Sequence, residues 1–210
     1  MKDTARRRTA ELVDAAGRVF YRKGYGDSAV QDVADEVGLL KGSVYHYIKT
    51  KEDLLFAVVE QAHTASMDAI ERLRQLDVDP ATELAAFVES HLRMLEREHV
   101  KFRVYLHDFR SLTPEHRKTV GAKRAEYSQY VEELVKRGQE EGVFTSEVGA
   151  HYLTLGILGM VNWTYEWWRD DADNPGRDDL VAAFVDMTLR SVGVEESLIA
   201  EVVESGIPAA

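Results

Sequence analysis

Apolar positions recur three and four residues apart along almost the whole chain, with little strict alternation, and only four prolines interrupt its 210 residues. That spacing is helical. Leu12, Ala15, Ala16, Val19 and Phe20 predict one face of a first helix that stops near Gly24. Ser28 is the expected cap of the next helix, with Gln31 three residues on reaching back as in a capping box, and Val30, Val33, Ala34 and Val37 form its buried stripe. A short third helix is expected from about Leu40 to Ile48. Thr50-Lys51-Glu52-Asp53 then predicts the capped start of a long helix through Leu54, Leu55, Val58 and Val59 to about Leu76. Pro80 and Pro114 sit where helices begin, and further periodic segments cover roughly 81–98, 100–111, 115–141, 147–169 and 178–192. No internal repeat of 20–50 residues is visible. The pattern predicts an all-α chain, with a three-helix N-terminal domain over residues 1–50 and a helical bundle over 51–210.

Composition narrows the chemistry. The absence of cysteine excludes a disulfide framework, thiolate catalysis and Cys-based zinc sites. No run approaches ~18 uncharged apolar residues, and Met1-Lys2-Asp3-Thr4-Ala5-Arg6-Arg7-Arg8 is no signal core, so a cytoplasmic protein is expected. The formal net charge of −11 argues against a nucleic-acid partner only until it is divided along the chain. Residues 1–51 hold ten Lys/Arg against seven Asp/Glu, a net +3, which leaves −14 on the remainder. A basic end on an acidic body is the asymmetry expected where one end meets phosphates.

Two short helices joined by Glu36-Val37-Gly38-Leu39 have the layout of a helix-turn-helix, whose second helix enters the major groove. Lys41 offers a donor near the start of that helix, Gly42 permits close backbone approach, and Ser43 is a small hydroxyl able to face a base edge. Val44 and Ile48, four apart, anchor the segment. Tyr45, His46 and Tyr47 are polar-tipped aromatics suited to phosphate contacts, and Lys51 adds a cation where helix N–H groups point outward. The run from Val30 to Leu54, with its core Gly42-Ser43-Val44-Tyr45-His46-Tyr47, resembles the DNA-binding region of the TetR family of transcriptional regulators. That resemblance implies a second, all-helical domain for dimerisation and ligand binding. It implies base-edge roles for Lys41, Gly42 and Ser43 and backbone roles for Tyr45, His46, Tyr47 and Lys51, with Ser28 and Gln31 also among the expected DNA-binding residues. Ala29 stands where the family usually has Ser or Thr, and Leu40 where it commonly has a polar residue.

In TetR-like proteins the last two long helices pair with their symmetry mates. By that resemblance His151, Leu155, Gly159 and Val161, with Leu180, Phe184 and Met187, are the expected homodimer interface. The segment Asn162-Trp163-Thr164-Tyr165-Glu166-Trp167-Trp168-Arg169, with Pro175-Gly176 beyond it, resembles one in regulators of fatty-acid, sterol and aromatic-acid catabolism, several of which respond to acyl-CoA thioesters. Phe87, His91, Met94, Phe102, Tyr105 and Phe109 recur at helical spacing and could build an effector pocket with Tyr127, Trp163 and Trp167. Arg124, with Arg103, Arg110, Arg117, Lys118 and Lys123, could receive phosphates or a carboxylate. Another lipophilic or aromatic ligand, such as a drug, is the alternative effector.

The remaining alternatives are a transcriptional activator and, from a different class, a di-metal helical-bundle enzyme. The latter is suggested by the Glu-x-x-His pairs Glu60…His63 and Glu96…His99. No nucleophile elbow, phosphate loop or dinucleotide fingerprint occurs. Asp171-Ala172-Asp173-Asn174-Pro175-Gly176 begins like a calcium loop but fails its ligand pattern at Pro175 and Ala182. The reading is a ligand-responsive repressor that binds a palindromic operator as a homodimer, without cofactor or metal.

Overall fold

The computed structural model describes residues 2–168 and 176–208, and every regular element among them is helical. The helices are α1 (Lys2–Lys23), α2 (Val30–Glu36), α3 (Lys41–Val44), α4 (Lys51–Leu73), α5 (Pro80–Arg97) and α6 (His99–Asp108). After a 3₁₀ turn (Phe109–Ser111) come α7 (Pro114–Glu140), α8 (Ala150–Trp167), α9 (Arg177–Ser191) and α10 (Glu196–Ser205). None is long and apolar enough to cross a membrane. Arg169 and the calcium-like run Asp171–Pro175 lie outside the described residues. The α10 helix falls beyond the periodic segments read from the sequence. It buries Ile199 and Val202, three apart, so the helical spacing is present in a short segment.

The chain folds into two compact units, residues 1–64 with 98–123, and residues 65–97 with 124–210. The division is therefore not one cut near residue 50: α6, the 3₁₀ turn and the start of α7 belong with the N-terminal helices, and α4 and α7 each run unbroken from one unit into the other.

In the first unit the expected α1 stripe is buried throughout, and Val30, Val33, Ala34, Val44, Ile48, Leu54, Leu55, Val58 and Val59 close the core with it. Packing of α6 on α1 explains the wider unit: Phe102, Val104 and Tyr105 are buried, and Lys101 reaches Asp14 at 3.2 Å. Helix starts follow local chemistry. Thr50 Oγ1 accepts the Asp53 N–H at 3.1 Å while Asp53 Oδ2 accepts the Thr50 N–H at 2.8 Å, the expected reciprocal box. The α2 start differs by one residue: Ala29 is the cap position, and the Asp32 carboxylate accepts its N–H at 2.8 Å. Ser28 instead donates to the Tyr25 carbonyl at 2.9 Å, and Gln31 donates to Asp35 at 2.7 Å. A carboxylate accepts more strongly than an amide oxygen, so Asp32 takes the role expected of Gln31.

The second unit surrounds α5, whose residues from Pro80 to Leu95 are mostly buried, with α8, α9 and α10 packed on it. Asp79 caps α5, accepting the Ala81 and Thr82 N–H groups at 2.8 and 3.1 Å ahead of Pro80 in the first turn. Near the end of α7, a Cβ on Gly138 would fall 2.1 Å from the Phe144 ring, which is 2% exposed. Alanine gains up to about 1 kcal/mol of helix propensity over glycine, but that overlap forces a packed ring aside at about 1–3 kcal/mol or more. Gly138→Ala is therefore expected to lower the stability to urea by about 1 kcal/mol net, and an unchanged midpoint would refute the close packing.

Candidate nucleic-acid interface

The geometry of α3 follows from two anchors. Val44 and Ile48 are 0% and 8% exposed, while Lys41, Gly42, Tyr45, His46 and Tyr47 between and around them face solvent. Regular α-helix covers only Lys41–Val44, but the turn continues with Tyr47 N–H donating to the Val44 carbonyl at 2.9 Å and Ile48 N–H to the same oxygen at 3.2 Å. The segment is one continuous, outward-facing strip of polar tips. Gly38, at φ +66°, makes the preceding turn, a conformation that costs other residues steric strain. Leu39 N–H then donates to the Ala34 carbonyl at 2.8 Å, which ties the turn to α2. A Cβ at Gly42 would meet nothing within 4 Å, so the free chain does not itself require glycine there.

Charge is distributed unevenly on this unit. Arg18 and Arg22 both reach Glu36, at 2.9 and 2.5 Å, and Lys23 reaches Asp32 at 2.6 Å. The Arg22 and Arg18 hydrogen bonds hold the Glu36 carboxyl down at about 2. These pairs join α1 to α2, so Arg18, Arg22 and Lys23 are engaged internally, whereas Lys41 and Lys49 lie exposed on the α3 strip.

Two expected DNA contacts are placed elsewhere. Lys51 turns its ammonium inward, donating to the Tyr25 carbonyl and lying 4.2 Å from the Tyr25 ring centre, and burial pushes its pKa down. It ties the end of the α1 turn to the start of α4. Ser28 is buried against that same turn. Gln31 is exposed on α2.

A second tie joins α4 to α7. The Glu52 carboxylate accepts the Thr113 N–H at 2.8 Å and meets His116 Nδ1 at 2.9 Å, and the imidazole stacks on Phe56 at 3.8 Å with ring planes 8° apart. Glu52, Asp53 and His116 lie close enough together to resemble a metal-ligand set. Glu52 and Asp53 already accept the hydrogen bonds that start α7 and α4. The carboxylates of the two Glu-x-x-His pairs are also engaged, Glu60 with Lys123 and Glu96 with Arg177.

The ten expected effector residues divide between the units. Phe87, His91 and Tyr127 come together in the second, with His91 Nδ1 2.6 Å from the Tyr127 hydroxyl and the Phe87 ring 5.8 Å from each. His91 is 3% exposed, and burial pushes its pKa down to about 4, the Asn162 side chain opposing. Met94 is buried on the same helix. Trp163 and Trp167 are instead 61% and 41% exposed, and Arg124 is exposed, so none of the three belongs to that buried cluster. Phe102, Tyr105 and Phe109 lie in the first unit, edge to face at 6.2 and 6.4 Å. A cleft of about 320 Å³ opens in that unit, lined by Tyr21, Arg22 and Lys23 at the end of α1 and by Arg103, His107 and Asp108 of α6.

The expected dimer face also divides. Val161, Leu180 and Phe184 are 0%, 5% and 9% exposed and pack within the second unit's core, so they do not present themselves to another subunit. The outward face of α8 and α9 carries Tyr152, Leu155, Gly159, Trp163 and Met187, with His151 beside Tyr152. Both faces of α8 are apolar, and the 3.6-residue period alone does not say which one is turned inward.

Known proteins bear on this interface. Residues 12–58 match the family described as bacterial regulatory proteins, tetR family, and residues 77–192 match the tetracyclin repressor-like C-terminal domain. The HTH-type transcriptional repressor KstR2 of Rhodococcus jostii is 23% identical over 164 residues, 77% of this chain and 80% of that protein. The crystal structure of the TetR family regulator PfmR from Thermus thermophilus superposes with a TM-score of 0.79 at 31% identity, covering 85% of this chain and 97% of PfmR. AibR, crystallised with isovaleryl coenzyme A and operator DNA, shares the fold at a TM-score of 0.80 and 24% identity over 86% of this chain and 97% of its own. Both halves of the chain match models of one family, and the chain belongs to the TetR family of bacterial transcriptional regulators.

Proposed function

We propose that the chain is a cytoplasmic homodimeric repressor that binds a palindromic operator through its two α3 strips and is released by a small acyl effector. The observation that carries the operator half is the exposed strip Lys41, Gly42, Tyr45, His46 and Tyr47 held on the buried Val44 and Ile48. Dimerisation through the outward face of α8 and α9 would supply the two-fold symmetry that two half-sites require, and Leu155, Trp163 and Met187, each about half exposed or more, support that choice of face. The effector half rests on chemistry. Phe87, His91 and Tyr127 combine apolar rings with neutral hydrogen-bonding groups suited to an acyl chain and its carbonyl. AibR, bound to isovaleryl coenzyme A, supports the same class. Because α4 runs from the effector unit directly into the segment after α3, a shift of that helix would change how the strips are presented.

Thermal unfolding of the dimer in the presence of acyl-CoAs, matching free acids and aromatic drugs tests the effector. A ligand at a hundred times its Kd stabilises the folded state by about 2.7 kcal/mol, and the same acyl-CoA is expected to release operator DNA. Stabilisation by aromatic drugs alone would replace the acyl reading with the drug-responsive one.

A further inference from the structure

Leu40 is the most exposed of the large apolar side chains among the described residues, at 80%. Its backbone is not loose. The carbonyl of Leu40 accepts the Ser43 N–H at 2.8 Å, and the preceding Leu39 is tied to α2, so the side chain is held at a fixed place immediately before Lys41. A solitary surface leucine is ordinary in itself; here it continues the strip that meets base edges. The major-groove edge of a base pair carries hydrogen-bond donors and acceptors and one apolar group, the C5-methyl of thymine. Against a guanine or cytosine edge a leucine would strip water from polar atoms and return no hydrogen bond. Against thymine it buries methyl on methyl.

Resting on the DNA-binding reading above, we propose that Leu40 is a specificity-determining residue that reads one thymine methyl in each operator half-site. It takes no part in holding the head together, so its replacement leaves the fold intact. The experiment selects operator duplexes from a random pool with the full-length dimer, then replaces each thymine in turn with deoxyuridine, which removes only the methyl. At one position per half-site the wild-type protein is expected to lose about fourfold in affinity, the worth of one buried methyl-sized group. Leu40→Ala should bind the thymine operator more weakly by a similar factor and be indifferent to uracil at that position. Leu40→Gln should shift the selected base there toward adenine, which an amide can contact through N6 and N7. A selected operator with no thymine within reach of α3, or uracil sensitivity that persists in Leu40→Ala, overturns the proposal while leaving DNA binding intact. Enrichment of no sequence at all overturns both.

Discussion

Replacing Lys41 with alanine and, in the same chain, Tyr47 with phenylalanine is expected to weaken operator binding by about a hundredfold and to leave the melting temperature and the dimer unchanged. Both side chains face solvent, and neither belongs to the core closed by Val44 and Ile48. A lysine on a guanine edge is worth about 1–3 kcal/mol and a hydroxyl donated to a phosphate about 1 kcal/mol; together they reach the factor of a hundred. The two losses separate by salt and sequence: removing the base contact relaxes preference at one position, and removing a phosphate contact weakens all sequences alike. Electrophoretic mobility shift at two salt concentrations, run beside a thermal melt, reads both. Wild-type affinity in the double variant would remove α3 from the interface. Lys51→Ala should behave differently, because its ammonium sits on the Tyr25 carbonyl, and its cost should show in stability of the head first.

Acid is expected to destabilise the second unit through His91. Its folded pKa, near 4, lies below the ordinary 6.5 because burial disfavours the cation. The unfolded chain therefore binds the proton more readily than the folded one. The stabilisation is full above about pH 6.5 and is lost as pH falls toward 4, which amounts to about 2 kcal/mol between pH 7.5 and 5. Urea unfolding at those two values, with His91→Gln as control, isolates the contribution. Glutamine retains a polar group for the Tyr127 hydroxyl and carries no titratable charge, so its pH dependence should be shallower by that amount. Parallel behaviour of the two proteins would mean that the imidazole is solvated.

What the sequence shows and what it hides follow a physical division. The α1 stripe, the reciprocal box at Thr50 and Asp53, and the prolines opening α5 and α7 rest on interactions within a few residues, and they are readable. The α3 strip is readable for the same reason, since Val44 and Ile48 fix which side chains turn out. The one-residue displacement of the α2 cap arises because Gln31 and Asp32 compete for neighbouring N–H groups, and charge decides that contest. The inward turn of Lys51 depends on a carbonyl 26 residues earlier, and no local pattern points to it. Val161 on α8 and Leu180 and Phe184 on α9 are turned inward because both helices pack on α5, a long-range choice that the spacing of apolar residues along either helix does not show. The scatter of the aromatic effector residues over both units arises because α6 and the 3₁₀ turn, which carry Phe102, Tyr105 and Phe109, belong with the N-terminal helices, whereas α5 and the later part of α7 do not.

The anchoring of α3 separates two tasks that many proteins assign to the same residues. Val44 and Ile48 hold the strip from beneath, whereas the side chains of Leu40 and Lys41 are exposed and a Cβ at Gly42 would meet nothing within 4 Å. On the proposed reading, side-chain changes at these three positions carry little folding cost, so operator preference can drift or be redesigned one base at a time while the protein stays intact. Duplicated copies of such a regulator can diverge to separate operators without first passing through an unstable intermediate.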